Sequence, residues 1–169
     1  MTFRNYIQTL INQQKIECFT GPISRKYQIA SVMKKFEASP VLFEQVLESR
    51  FRVAGNVLPS KAAFARYFGL QVTDIIPLLS KAINWRSPCE QIREAPCQDV
   101  VISDPDLDIL PILRHFPTDG GNYITSGVVI ARHPQYGQNL DFHRCMQFSP
   151  TEMSVRVVQI GRASCRERV

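Results

Sequence analysis

Residues Tyr123-Ile-Thr-Ser-Gly-Val-Val-Ile-Ala131 and Asn139-Leu-Asp-Phe-His-Arg-Cys-Met-Gln-Phe148 decide the fold class. The first run is rich in β-branched and aromatic residues, which suit a pleated surface. The second alternates apolar and polar side chains, the period of a strand with two unlike faces. Between them His133-Pro-Gln-Tyr-Gly-Gln138 carries the proline and glycine of a turn, and Met153 to Val158 begins a third strand. The pattern predicts a β-meander from Asn122 onward, cut in mid-sheet so that an edge and half of a core stay open.

Upstream the pattern is mixed. Tyr6, Ile7, Leu10 and Ile11 behind Thr2 predict an amphipathic helix over 3–14, and Ile16 to Phe19 a short strand ended by Thr20-Gly21-Pro22. Tyr27 to Phe36 reads as a second helix. Pro40 to Val46 and Phe51 to Leu58 read as strands, the latter with Gly55 inside it. Ser60 caps a third helix stopped by Gly69, and Thr73-Asp74 opens a fourth that runs to Trp85 and tolerates Pro77 near its start. Prolines 88 and 96 bracket a linker, followed by a strand candidate at Gln98 to Ile102. The fold class is therefore α+β, with a mixed α/β region leading into β structure.

Composition narrows the function. The 169 residues are 44% hydrophobic and 21% charged, which excludes a disordered tail or a fibre. No apolar run reaches the roughly 18 residues of a membrane span, and Met1 to Lys15 lacks the apolar core of a signal peptide. Five irregularly placed cysteines without a C-x-x-C read as reduced thiols, so the expected location is cytoplasmic. Residues 160–169, Ile-Gly-Arg-Ala-Ser-Cys-Arg-Glu-Arg-Val, look like a translated sequencing adapter whose next triplet is a stop. They are expected to be a non-native tail. Without Arg162, Arg166, Arg168 and Glu167 the net charge falls from +5 to +3, and the case for nucleic acid falls with it.

Few residues carry chemistry by pattern alone. Alternation places Arg144 on a strand face with Leu140, Phe142, Met146 and Phe148. A guanidinium keeps its proton, so Arg144 among large apolar residues reads either as an anion clamp for a carboxylate or phosphate, or as a structural ion pair or snorkelling arginine. Asp104-Pro-Asp-Leu-Asp108 lacks the glycine and remaining ligands of a calcium loop and reads as a solvated turn. Gly120 and Gly121 suit a positive-φ turn before the strand. Histidines 115, 133 and 143 lack metal-ligand spacing and read as turn or strand-face residues.

Taken in order, several motifs point further: Asp106-Leu-Asp-Ile-Leu-Pro-Ile112, Phe116-Pro-Thr-Asp-Gly-Gly-Asn-Tyr-Ile-Thr125, Gly127-Val-Val-Ile130 and Gln138-Asn-Leu-Asp-Phe-His-Arg144. With Ala95-Pro-Cys-Gln98 and, more loosely, Pro40-Val-Leu-Phe43, this succession resembles the UbiD-like decarboxylases, which use prenylated FMN. The resemblance takes in most of residues 25–158. It implies an N-terminal α/β domain over 1–105, then a split β-barrel related to flavin reductases that is incomplete over 106–158. It also implies a non-oxidative decarboxylase of aromatic or α,β-unsaturated acids, such as a polyprenyl-4-hydroxybenzoate decarboxylase-like enzyme.

By the same resemblance Asn139 is a ligand of a divalent metal, manganese with or without potassium, that bridges to the cofactor phosphate. Phe142, His143 and Arg144 line the flavin, and Arg144 also positions the substrate carboxylate as the catalytic arginine. The remaining metal ligands and the catalytic acids are expected beyond Val158, so the chain alone is expected to be inactive. A flavin prenyltransferase would supply the cofactor, and the parent protein would be a homo-oligomer. Two departures stand out: Asp141 and His143 occupy positions where small or aromatic residues are usual, and alternation turns Asp141 to the face opposite the flavin. The competing reading is a non-catalytic flavin-binding split-barrel module.

Overall fold

The computed structural model describes residues 2–85, 90, 92–134 and 137–156. The expected tail at 160–169 lies outside them. Helix α1 (Phe3–Asn12) leads into strand β1 (Glu17–Ile23), α2 (Gln28–Lys35), β2 (Val41–Val46), β3 (Val53–Gly55), α3 (Lys61–Phe68) and α4 (Ile75–Asn84). Strands β4 (Tyr123–His133), β5 (Gly137–Gln147) and β6 (Met153–Val155) follow. They form two three-stranded sheets in the orders β1-β2-β3 and β4-β5-β6, with β5 antiparallel to both its neighbours. Helices and strands are mixed along the chain, as the sequence predicts, with two small sheets. Among the described residues no helix is long and apolar enough to cross a membrane.

The chain packs as two units: Met1–Phe19 with Met33–Leu42 and Ala54–Asp104, and Thr20–Val32 with Phe43–Val53 and Pro105–Val169. In the first, local chemistry sets the helix ends. Thr2 Oγ1 accepts from the Asn5 N–H at 3.3 Å, Ser60 Oγ from Ala63 N–H at 3.1 Å, and Gly69 closes α3 in the left-handed conformation. Tyr6 and Leu10 bury one face of α1, and the Tyr6 ring meets Tyr67 edge-on at 4.8 Å. Gly55 passes so close to Met33 that a Cβ there would lie 2.8 Å from its Sδ. The next residue, Asn56, takes φ 51° and donates its amide to Met33 O and Phe36 O at 2.7 and 2.9 Å. That strained corner is why β3 is three residues long rather than the eight expected from Phe51 to Leu58.

The second unit is stitched by polar groups. The Arg25 side chain is only 13% exposed and donates to Asp108 O at 3.1 Å, Leu110 O at 2.7 Å and Asp108 Oδ1 at 3.3 Å. Asp108 Oδ1 also accepts from Gln147 Nε2 at 2.9 Å, at the end of β5. Glu48 receives the Ser24 hydroxyl on one oxygen and the Arg25 N–H, at 2.9 Å, on the other. Burial acts to raise the Glu48 pKa, but the Ser24 hydroxyl, the backbone N–H groups and the Arg25 charge outweigh it, and the carboxyl stays below its ordinary value.

Four sequence expectations need correction. Strand β1 continues through Gly21-Pro22, because it is an edge strand where a missing N–H breaks no ladder bond. Gln98 to Ile102 is not a strand: Pro96–Gln98 is a turn of 3-10 helix, and Val101 is 80% exposed with no neighbouring strand to pair with among the described residues. Gly120 and Gly121 do not have positive φ; they are small because Met146 lies against them, 3.3 and 3.2 Å from where a Cβ would stand. The Asp106–Asp108 turn is hydrogen-bonded as an Asx turn, Asp106 Oδ1 accepting from Asp108 N–H, yet Asp108 is an anchor for Arg25 rather than a merely solvated group.

Candidate functional site

Strand β5 faces β4 in a register that pairs Asn139 with Ala131, Asp141 with Val129, Phe142 with Val128 and His143 with Gly127. Cys145 pairs with Ile124, so Arg144 stands opposite two residues, Thr125 and Ser126. This is a β-bulge, a device that bends a strand and re-aims a side chain. Gly127 permits the close approach of the strands: a Cβ there would lie 3.3 Å from Cys145 Sγ and 3.4 Å from His143 O.

The two faces of β5 differ in character. On one, His143 is 4% exposed and Cys145 is buried, and His143 Nε2 lies 3.8 Å from Asp141 Oδ2. On the other, Leu140, Phe142 and Arg144 are exposed beside Val128 and Ile130 of β4, with Phe142 58% exposed. Among the described residues the Arg144 guanidinium has no hydrogen-bond or ion-pair partner. An unpaired cation on an open apolar face argues against the structural ion pair and leaves the anion clamp and the snorkelling arginine of the sequence reading.

The expected site residues are thus divided. Phe142 and Arg144 share the open face. Asn139 is exposed, but alternation puts it in line with Asp141 and the buried His143 on the other face. A planar aromatic group bearing an anion fits the Phe142 ring, the aliphatic side chains around it and the Arg144 charge. A metal does not fit as readily: among the described residues no three His, Cys, Asp or Glu side chains gather to hold one, and Asn139 alone is a single neutral ligand. A concavity of about 330 Å³ in the first unit, lined by Tyr6, Lys15, Ser39, Ser60 and Arg66 among others, contains none of the expected site residues. The Arg25–Asp108–Gln147 link under the end of β5 was not legible in the sequence, since its members are separated by 83 and 39 positions.

A mixed α/β chain whose last three strands form an open meander defines a class seen in solved enzymes. The HmfF enzyme of Pelotomaculum thermopropionicum, in an evolved dimeric form in complex with prFMN and described as UbiD-class, superposes with a TM-score of 0.84 at 25% identity. The match covers 92% of this chain and 38% of that one. The vanillic acid decarboxylase of Sedimentibacter hydroxybenzoicus shares the fold with a TM-score of 0.83 at 21% identity, over 96% of this chain and 38% of that one.

Family models agree. The 3-octaprenyl-4-hydroxybenzoate carboxy-lyase N-terminal domain matches residues 7–83, and the Rift-related domain of the same carboxy-lyase matches residues 90–168. The chain belongs to the UbiD family of carboxy-lyases. Among curated relatives, the anhydromevalonate phosphate decarboxylase of Methanosarcina mazei is 32% identical over 94% of this chain and 36% of its own length. That of Methanothermobacter thermautotrophicus is 28% identical over 80% of this chain and 32% of its own length. The chain therefore spans about a third of the curated relatives it matches.

Proposed function

We propose that this chain is the flavin- and carboxylate-binding part of a decarboxylase that acts on an aromatic or α,β-unsaturated acid with prenylated FMN. The observation that carries the reading is Arg144: a permanent cation without a partner among the described residues, on an open sheet face beside the exposed Phe142 ring, in a chain of this family. Within that substrate class, the names of the curated relatives favour anhydromevalonate phosphate over an aromatic acid. Residues 106–158 are read as the opening strands of a split barrel, whose inner face would be the one bearing Val128, Ile130, Leu140 and Phe142.

When bound, prenylated FMN supplies the electron sink for the pair released as CO2 departs. The chain's own residues prepare that event. Arg144 takes the substrate carboxylate as a bidentate pair and fixes the angle of the bond to be broken. Charge leaves the carboxylate as the bond breaks, so this pair is stronger in the ground state than in the transition state, and its value is orientation rather than stabilisation. Phe142 and the aliphatic residues around it offer a flat apolar surface that excludes water from the ring system. Arg144 cannot donate the proton that replaces CO2, because a guanidinium is not deprotonated in a protein. Asp141 is on the wrong face. The carbon acid–base group is therefore assigned to the part of the enzyme that the relatives have and this chain does not span, as are further ligands for any metal held by Asn139.

It follows that the 169-residue chain, purified and given prenylated FMN, manganese and a candidate acid, releases no CO2 above the no-protein control. Headspace analysis with a carboxyl-labelled acid is the check. Sustained release would mean that the described residues already contain the proton donor, and the division of labour proposed here would be wrong.

A further inference from the structure

We infer that Arg114 is a positioning residue, which holds the Phe116–Gly121 turn against β5 and so fixes the wall beside Arg144; this rests on the function proposed above. Three observations converge on it. First, Arg114 Nη2 donates to Asp119 O at 2.6 Å and to Pro117 O at 3.4 Å, so its charge is directed at the carbonyls of the turn. The turn is closed from inside as well, by Asp119 Oδ2 accepting from Phe116 N–H at 2.8 Å and by Asp119 N–H donating to Phe116 O at 3.1 Å.

Second, the arginine is itself held at some cost. Its Nε is buried with no partner among the described residues, a desolvation that no hydrogen bond offsets. Its guanidinium lies 5.8 Å from the centre of the Tyr27 ring, and Tyr27 adopts φ 69°, a backbone region that residues with a Cβ rarely enter. The Tyr27 N–H donates to Arg114 O at 2.9 Å and Arg114 N–H to Arg25 O at 3.2 Å, which locks the two segments together. Strain kept at a position such as Tyr27 points to a function for the group it supports.

Third, the far end of the turn lands on the candidate site. Gly120 and Gly121 lie against Met146, too close for a side chain to be added without displacing it. Met146 is two residues from Arg144 on the same face of β5. The turn is tied to the strand once more by Gln147 N–H donating to Asn122 O at 2.9 Å. Phe116, Pro117 and Thr118 remain exposed on its outer side. Arg114 therefore acts on Arg144 at one remove, through the glycines and Met146.

The test uses the full-length enzyme loaded with prenylated FMN and compares wild type, Arg114→Ala, Arg114→Lys, Gly121→Ala and Arg144→Ala. Misplacing a positioning wall by about 1 Å can cost on the order of 100-fold, and Arg114→Ala is expected to raise KM by about 10-fold or more while the bound flavin keeps its absorbance spectrum. Lysine restores the charge but not the fork, so Arg114→Lys falls between. Gly121→Ala gives the same KM defect, and combining it with Arg114→Ala adds little, because both act through Met146. A merely structural role would lower the yield of folded enzyme and leave KM unchanged, which overturns the inference. Additive defects in the double variant overturn it too. If Arg144→Ala retains full activity, the proposed function fails; if Arg144→Ala is impaired and Arg114→Ala has a wild-type KM, only the role of Arg114 fails.

Discussion

Arg25→Ala is expected to destabilise the chain by about 3 kcal/mol, seen as a lower urea midpoint with an unchanged slope. Three hydrogen bonds from one cation are lost, to Asp108 O, Leu110 O and Asp108 Oδ1. Bonds from a charged donor contribute roughly 1.5–3 kcal/mol each, but they share one side chain and do not add in full. Asp108 is 51% exposed, so its share of the ion pair is screened by solvent. The larger loss is at the Leu110 carbonyl, which accepts the shortest of the three bonds, at 2.7 Å, in part-buried surroundings. Asp108→Asn is accordingly expected to cost less than about 1 kcal/mol, because an amide oxygen still accepts from Arg25 and Gln147. Equal effects of the two substitutions, or an Arg25→Ala variant as stable as wild type, would show that the ion pair or other contacts carry this region instead.

Arg144→Ala in the full-length, cofactor-loaded enzyme is expected to reduce kcat/KM by about 1,000-fold, or roughly 4 kcal/mol of activation free energy, through lost capture and orientation of the carboxylate. Orientation by a positioned clamp can supply that much. The loss should be larger than for Arg144→Lys, which keeps the charge without the two-pronged geometry. Thermal stability should barely change, since Arg144 is exposed and unpaired among the described residues. Steady-state kinetics beside a melting curve separates the two quantities. A variant that melts early and retains kcat/KM per folded molecule would make Arg144 structural, the alternative left open by its sequence context.

The legible part of the fold was the part governed by neighbours in sequence. Thr2, Ser60 and Gly69 announce helix ends because a cap is a matter of one to four residues, and all three act as read. The β4–β5 pairing followed from alternation, and alternation also placed Asp141 on the face opposite Arg144. What stayed hidden depends on distant partners. Nothing near Gly120 and Gly121 signals Met146, so their smallness was attributed to backbone dihedrals instead of to contact. Val100 to Ile102 has the composition of a strand, but composition cannot report whether a neighbouring strand exists. The roles proposed for Phe142 and Arg144 rest on the resemblance, since one arginine in an apolar strand is ambiguous by itself. Arg114 left no trace in the pattern: only its bonds to a turn and its place over Tyr27 reveal it.

The measurement that bears most directly on the central claim is CO2 release by the protein extended to the length of its relatives, loaded in parallel with prenylated FMN and with plain FMN. The account predicts release of one CO2 per acid consumed with prenylated FMN alone, with an α,β-unsaturated acid such as anhydromevalonate phosphate preferred over an aromatic one. Equal turnover with plain FMN or with no flavin, or flavin bound by the full-length protein with no decarboxylation of either class of acid, would contradict it.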